Sequence, residues 1–220
     1  MNRLCFLGDT HAADHLRAAA AWKGFPPYAL HEADVVFVSM DTPTDEHGVR
    51  DLEPIKALVN QARYETNAHL VLTSAVPPGF TRSLGYPALI HQVETLRISD
   101  AMHRAQNPEM LVVGTQDPDW LLPEGYRQYL QAFGCPILRM TWEEAEFVKL
   151  AINAMLIVQV EATNALAAAT TKTGARWAVV AEALKHDARI GPHAYLKPGR
   201  WQDSRHLLRD FVTLEGLGDA

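Results

Sequence analysis

The sequence predicts an α/β protein in which a shortened parallel sheet is followed by one long helix and a small helical domain. Short apolar segments of strand length alternate with segments of helical spacing through the first 140 residues, an order typical of parallel, doubly wound sheets. Only residues 23–33 separate the first predicted helix from the second predicted strand, which leaves no room for a further strand and helix between them. Beyond residue 141 the pattern is helical for roughly thirty residues, or about 45 Å.

The first domain, residues 1–140, is predicted to hold five strands and three helices. The strands are apolar runs of strand length, at 3–7, 34–40, 69–74, 110–114 and 136–139. The helices carry apolar side chains at helical spacing, at 11–22, 51–64 and 124–133.

The second domain, residues 141–220, begins with a capping box, with Thr141 as the N-cap and Glu144 three residues later. The helical pattern then continues to Thr173 and stops at Gly174, a residue type that favours the position after a helix. A second helix is expected at 177–185, and the remaining tail is predicted to be rich in loops.

The middle of the long helix, residues 151–169, is apolar on nearly every face. A helix of this kind needs a partner on each side. We therefore predict that helix 141–173 forms the seam of a homodimer.

Bulk composition excludes several classes of protein. A chain of 220 residues with 48% hydrophobic residues can bury a sizeable core. The formal net charge of −6 argues against nucleic acid or an anionic membrane as partner, and the absence of a run of 18 or more apolar residues argues against a membrane span. No secretory signal is recognisable, and two lone cysteines favour a reducing compartment, so we expect a cytoplasmic protein.

His11 and His15 have the spacing of a metal-binding pair but lack a third ligand in the sequence, so no metal is predicted.

Four stretches resemble the UDP-glucose/GDP-mannose (nucleotide-sugar) dehydrogenases. Residues 33–46, ADVVFVSMDTPTDE, are similar to "aDvvficvpTPtde", and residues 74–82, SAVPPGFTR, to "STVPpGtTr". Residues 146–153, EFVKLAIN, are similar to "aElvKlaaNaf", with residues 164–167, NALA, similar to the later "NEla". The fourth stretch resembles "RIG…pGpGfGGsCfpkD" at Arg189–Gly191, Pro198–Gly199 and Arg209–Asp210.

The resemblance implies a three-part fold, of which this chain would keep two parts. Residues 1–140 would be a reduced, Rossmann-like dinucleotide-binding domain, and residues 141–220 the central dimerisation domain. The C-terminal UDP-binding domain is expected to be absent.

The resemblance also implies NAD as cofactor, although the cofactor loop departs from its pattern. Gly8 matches the first glycine of Gly-x-Gly-x-x-Gly/Ala and Ala13 can serve as the third, whereas Thr10 replaces the glycine that lets a phosphate approach. The alternative is a plain strand-to-helix turn with Asp9 or Thr10 as the N-cap. Because the ribose-reading half of the unit is missing, NAD binding is expected to be weak or lost.

Thr42 and Pro43 follow a predicted central strand, at the edge where open α/β sheets bind ligands. The family uses this threonine near the dinucleotide, so both are assigned to the cofactor site. A simple turn after the strand explains them equally well.

The family's oxidation of a sugar alcohol uses a Lys and an Asn near the oxyanion, a Cys that captures the aldehyde, and an Asp that helps to activate water. Lys149, Asn153 and Asp210 match the Lys, Asn and Asp. His206 occupies the position that matches the family's cysteine. Imidazole does not readily replace a thiolate as the covalent partner of an aldehyde. Full oxidation to a uronic acid is therefore not expected, whereas His206 can still act as acid or base in a single hydride transfer. Alternatively, Lys149 is a structural residue that reaches solvent or pairs with Glu146 or Glu161.

Substrate contacts are assigned to Glu94, Arg189 and Gly191 by the same resemblance. Ala75 and Ala88 depart from it, because they stand where the family has a Thr and a Glu. Two hypotheses remain open: an NAD-linked oxidoreductase acting on a nucleotide sugar, and a non-catalytic dimeric binding or regulatory protein.

Overall fold

The computed structural model describes residues 2–8 and 10–218, apart from the side chain of Ile98. Within these residues the strands are β1 Leu4–Leu7, β2 Val35–Val38, β3 His69–Leu72, β4 Ile90–Gln92, β5 Leu111–Thr115 and β6 Ile137–Thr141. The α-helices are α1 His11–Trp22, α2 Glu53–Glu65, α3 Phe80–Ser83, α4 Ala101–Gln106, α5 Glu124–Gln131, α6 Trp142–Thr170, α7 Trp177–Lys185 and α8 Arg205–Gly218. Single 3₁₀ turns lie at Leu30–Glu32, Ile98–Asp100 and Trp201–Asp203.

The described strands form one six-stranded sheet in the order β1-β2-β3-β4-β5-β6, which confirms the predicted α/β class. All neighbouring pairs are parallel except β4 and β5, which pair antiparallel through His91 and Gln92. The mostly parallel sheet thus departs from the predicted parallel order at this one pair of strands. β4 has only three residues, two of them polar, and therefore gives no apolar run in the sequence.

Helices α1 and α5 cover one face of the sheet, and α2 and α3 cover the other. The first face buries an aromatic cluster in which the rings of Phe6 and Phe37 stack at 4.8 Å and Phe37 meets Tyr129 edge-on at 4.9 Å. The second face buries aliphatic side chains of β2 and β3 against Ile55 and Val59 of α2. Alternate residues of β1, β2 and β3 enter the two cores, as expected for a sheet covered on both sides.

β1 lies at one edge of the described sheet, so the strand order does not reverse beside it. In a complete dinucleotide-binding fold, further strands lie beyond the first strand and the order reverses there. Instead, Pro27 forms a bridge with Leu4, and the Tyr28 N–H donates to the Leu4 carbonyl at 2.8 Å. The short connection between α1 and β2 thus covers this edge. It takes the place of the strand and helix that the sequence predicted to be missing from the domain.

The chain divides into two compact units, residues 1–43 with 50–149, and residues 44–49 with 150–220. The first unit contains the sheet and the first turns of α6. The capping box there is reciprocal: the Thr141 N–H donates to Glu144 Oε2 at 2.7 Å, and the Glu144 N–H donates to Thr141 Oγ1 at 3.4 Å.

The second unit packs α8 and the loop before it against α6. Ile157, Val160 and Trp201 form its buried apolar cluster. The amide of Asn164 binds both backbone groups of Gly199, at 2.8 and 2.9 Å. The prediction of a loop-rich tail was wrong from Arg205 onward, because α8 forms an amphipathic helix there.

One face of α6 in the second unit is uncovered. Met155, Val158 and Leu166 are 51–61% exposed, and three exposed alanines complete the stripe at the same helical spacing: Ala162, Ala165 and Ala169. We call these six residues the α6 stripe. It extends about 21 Å along the helix and carries no charge.

Helix α6 is also long enough to cross a membrane, with a mean hydropathy of 1.4 over an 18-residue window, and it alone reaches this size among the described residues. Two of its polar side chains, however, have partners in the second unit. Thr163 Oγ1 donates to the Tyr195 carbonyl at 2.8 Å, and Glu161 accepts a hydrogen bond from Trp201 Nε1. Such contacts are typical of a helix packed within a protein.

Candidate functional site

Gly8, in the turn after β1, is the first glycine of the predicted cofactor motif, and a steric constraint explains its presence. Gly8 has φ +109°, a conformation that other residues rarely adopt, and a Cβ at this position would lie 1.6 Å from the Ser39 carbonyl oxygen. The glycine therefore permits close packing of the β1 turn against the end of β2.

Thr10 occupies the N-cap of α1. Its Oγ1 accepts a hydrogen bond from the Ala13 N–H at 3.1 Å and lies 3.4 Å from Ser39 Oγ. Asp9, the other predicted cap, lies outside the described residues. A dinucleotide-binding turn presents its helix N–H groups to the pyrophosphate across a glycine. Here the Thr10 side chain takes one of those donors and stands where that glycine would be, so this turn does not fit a pyrophosphate in the usual way.

The loop after β2 is fastened to the loop after β3. Thr42 Oγ1 donates to the Ala75 carbonyl at 2.7 Å, and the Met40 N–H donates to Ser74 Oγ at 2.9 Å. Pro43 accepts a hydrogen bond from the Asp51 N–H at 2.8 Å. Thr42 and Pro43 thus lie at the carboxyl edge of the sheet, as predicted, and both make contacts within the protein.

Glu146 joins the start of α6 to the segment after β3. It is 1% exposed, and its carboxylate accepts hydrogen bonds from the N–H groups of Gly79 at 2.6 Å and Thr81 at 2.7 Å. Burial raises the pKa of this carboxyl above its usual value, although the bonds from Thr81 and Gly79 oppose the shift. Nearby, Arg82 pairs with Glu143, and this pairing lowers the pKa of Glu143.

Lys149 and Glu94, two of the predicted site residues, meet in the first unit. Lys149 Nζ donates to the Glu94 backbone carbonyl at 2.8 Å, while the Glu94 carboxylate accepts a bond from the Leu96 N–H. The glutamates considered as alternative partners for Lys149 bind other groups: Glu146 binds Gly79 and Thr81, and Glu161 binds Trp201.

Asn153 and Asp210 meet in the second unit, where they are 7% and 2% exposed. Asn153 Nδ2 donates to Asp210 Oδ2, and Arg209 Nε donates to Oδ1 of the same carboxylate at 3.1 Å. Both oxygens of Asp210 are therefore bound by side chains of the same unit. The resemblance identified Asn153 and Asp210 but assigned no role to Arg209.

The other predicted residues of the second unit lie on its surface. His206 is exposed in the first turn of α8, one helical turn before Asp210. Arg189 pairs with Asp187 at 2.8 Å and has an 88% exposed side chain, and Gly191 has φ +83° in the following turn. Within the part of the chain that the structure describes, the hydrogen bonds of Arg189 go to Asp187 and not to Asn153 or Asp210.

The histidine pair on α1 is close, with ring centroids 4.1 Å apart, and His15 Nδ1 lies 2.6 Å from the His11 carbonyl. Among residues 2–8 and 10–218 no cluster of three or more His, Cys, Asp or Glu side chains has metal-binding geometry.

Comparison with known proteins agrees with the motifs. The central-domain model of the UDP-glucose/GDP-mannose dehydrogenase family matches residues 143–214. The rat UDP-glucose 6-dehydrogenase is 31% identical over 221 residues, covering 87% of this chain and 43% of that protein. The enzyme of the same name from Haloferax volcanii is 29% identical over 219 residues, covering 89% of this chain and 49% of that protein. This chain thus spans less than half the length of these relatives.

The solved structure of a UDP-glucose dehydrogenase from Pyrobaculum islandicum has the same fold. It superposes with a TM-score of 0.72 at 23% identity, covering 98% of this chain and 59% of that one. A GDP-mannose dehydrogenase structure from Pseudomonas aeruginosa gives a TM-score of 0.70 at 20% identity, covering 90% of this chain and 60% of that one. Motifs, family model and fold agree, and the chain belongs to the UDP-glucose/GDP-mannose dehydrogenase family.

Proposed function

We propose that this chain is a nucleotide-sugar dehydrogenase-like protein that has lost the two-step oxidation and works as a non-catalytic, dimeric binding or regulatory protein. The proposal rests on the hydrogen bonds that Asp210 accepts within the protein. Its carboxylate is buried and both oxygens accept bonds from Asn153 and Arg209, so it has the contacts of a structural residue. A general base needs an oxygen that reaches the water it activates.

The nucleophile that the reaction requires is also replaced. His206 stands at the position matched to the cysteine, and capture of an aldehyde as a thiohemiacetal requires a thiolate. The two cysteines of the chain are Cys5, in β1, and Cys135, and burial raises the pKa of both thiols. Both therefore favour the unreactive thiol form at neutral pH.

A second candidate is an NAD-linked oxidoreductase that carries out one alcohol oxidation. The retained Lys149, Asn153 and Asp210 favour it, with Lys149 half-buried beside Glu94. NAD would be the hydride acceptor, and a nucleotide sugar the substrate. The Thr10 cap on α1 counts against it, because the helix terminus that should meet the cofactor is occupied.

Turnover distinguishes the two candidates. Purified protein is incubated with UDP-glucose or GDP-mannose and NAD, and NADH and sugar products are followed by absorbance and mass spectrometry. We expect no NADH and no uronic acid. Turnover that Lys149→Ala abolishes, while the exposed-site control Lys172→Ala retains it, would establish the oxidoreductase and refute the non-catalytic proposal.

The α6 stripe supports the homodimer. An uncharged, exposed apolar ridge of this length on a helix is typical of a surface covered by another helix, and a second copy of the chain supplies a matching ridge by symmetry. We propose a cytoplasmic location on the basis of two cysteines that form no disulfide with each other. We also propose that neither nucleic acid nor a membrane is a partner, because the net charge is −6 and polar side chains of α6 are packed within the protein.

A further inference from the structure

The loops that follow β1, β2 and β3 are linked to one another by side-chain hydroxyls and one glycine. All of these residues lie in the first unit, at the carboxyl ends of the strands. We call the set the edge network: Gly8, Thr10, Ser39, Met40, Thr42, Ser74 and Ala75.

Ser39 makes the link between the first two loops. Its backbone carbonyl packs against Gly8 so closely that no Cβ fits, its N–H donates to the Leu7 carbonyl at 2.9 Å, and its Oγ lies 3.4 Å from Thr10 Oγ1. Ser39 is 2% exposed. The β1 turn is thus held in place by the end of β2.

Ser74 and Thr42 make the link between the second and third loops. Each side chain binds the backbone of the opposite loop, at 2.9 and 2.7 Å, and the two residues are 3% and 7% exposed. Buried hydroxyls that bind backbone groups fix the loops without any ligand.

We infer that the edge network replaces a bound dinucleotide in this chain. A dinucleotide in an open α/β sheet lies outside the carboxyl ends of the strands and orders the loops there. Here the loops order one another, and the Thr10 hydroxyl binds the Ala13 N–H that a pyrophosphate would need. The inference concerns the first unit alone and does not depend on Asp210, His206 or dimer formation.

Hydrogen–deuterium exchange of the full chain, measured by mass spectrometry with and without millimolar NADH, tests the inference. We expect the loops at 8–13, 39–43 and 74–79 to be protected without NADH and unchanged when NADH is added. Loops that exchange rapidly in the free protein and become protected with NADH would overturn the inference. That outcome, in a protein that shows no turnover, would leave the proposed non-catalytic function standing.

Two variants test whether the loops hold each other. Thr42→Val should speed exchange in the loop at 74–79, and Ser74→Ala should speed exchange at 39–43, each several-fold. Ser83→Ala is the control, because Ser83 Oγ donates to Phe80 within the same helix, at 2.6 Å, and should leave residues 39–43 unchanged. An effect confined to the loop that carries the substitution would contradict a shared network.

Discussion

The carboxylate of Glu146 accepts a hydrogen bond of 2.7 Å from the backbone N–H of Thr81, 65 residues earlier in the chain. A second bond from Gly79 occupies its other oxygen. Because Glu146 is at the start of α6 and Thr81 follows the third strand, this one side chain ties the long helix to the carboxyl edge of the sheet. The buried carboxylate and the two backbone N–H groups thus satisfy one another's hydrogen-bonding requirement.

Removal of this carboxylate should destabilise the first unit. Glu146→Ala leaves two buried N–H groups without an acceptor, at a cost of about 2–5 kcal/mol. Glu146→Gln keeps one acceptor and should lose less. The free energy of unfolding from urea titration measures both, and Glu32→Ala, the same substitution at an exposed glutamate of the first unit, is the control. Equal stabilities for Glu146→Ala and Glu32→Ala would show that the two bonds to Gly79 and Thr81 contribute little.

His91 should make stability depend on pH. It is 3% exposed in β4, and burial lowers the pKa of its imidazole from 6.5 to about 4. The unfolded chain therefore binds a proton on His91 between pH 6.5 and 4 while the folded chain does not, so stability falls as the pH falls through this window. The difference of roughly 2.5 pH units corresponds to about 3 kcal/mol.

The measurement for His91 is urea unfolding at several pH values from 7 down to about 4. His91→Leu, a non-titrating variant, should show a clearly shallower dependence over this window than the wild type. His103→Leu, on α4, serves as the matched substitution of another histidine. The same slope in the wild type and His91→Leu would mean that the imidazole titrates alike in the folded and unfolded states.

Much of this architecture follows from local sequence patterns, and its departures have local causes. Helices α1 and α7 have the predicted bounds, because α1 has a threonine cap and α7 has a regular apolar face. β4 and α3 are too short to produce a periodic pattern. α8 was not predicted, because it follows the irregular segment 186–204, which contains a single 3₁₀ turn.

The sequence alone predicted only part of the candidate site. The resemblance identified Asn153 and Asp210, but the hydrogen bond that Arg209 donates to Asp210 from the same helix is visible only in three dimensions. Likewise, the retained Gly8 suggested a phosphate loop, whereas its fixed conformation reflects the Ser39 carbonyl. A glycine in such a motif indicates that another group lies close to the backbone, but the sequence does not show whether that group is a ligand or another part of the protein.

Substitutions in the β1 turn should separate packing from capping. Gly8→Ala should prevent the native turn from forming, because its Cβ would meet the Ser39 carbonyl and its φ is +109°. Thr10→Ala should cost about 1 kcal/mol through loss of the N-cap, and Thr10→Ser should restore most of it. Thermal unfolding followed by circular dichroism ranks the three variants. A wild-type melting temperature for Gly8→Ala would contradict the close approach to Ser39.

The buried ion pair of α8 should be more important for stability than a comparable pair at the surface. The Arg209 and Asp210 side chains are 7% and 1% exposed, so Asp210→Asn removes the negative charge that pairs with a buried guanidinium, at a cost of about 3–5 kcal/mol. Asp187→Asn breaks the exposed pair with Arg189 and should change the stability little. Urea unfolding of both variants decides the point: similar, small losses would contradict a structural role for Asp210.

The α6 stripe should set the oligomeric state. Val158→Asp places a charge in the centre of the stripe, where an apolar partner surface would have to bury it without a counter-charge. We expect sedimentation equilibrium to show a dimer for the wild type and a folded monomer for Val158→Asp. Leu121→Asp is the matched control, because Leu121 is 72% exposed in the first unit and lies outside the stripe, so that variant should remain dimeric. A wild type that sediments as a stable monomer at all concentrations would leave the stripe without the proposed partner and would overturn the homodimer, whereas dissociation by Leu121→Asp alone would move the interface from α6 to the sheet domain.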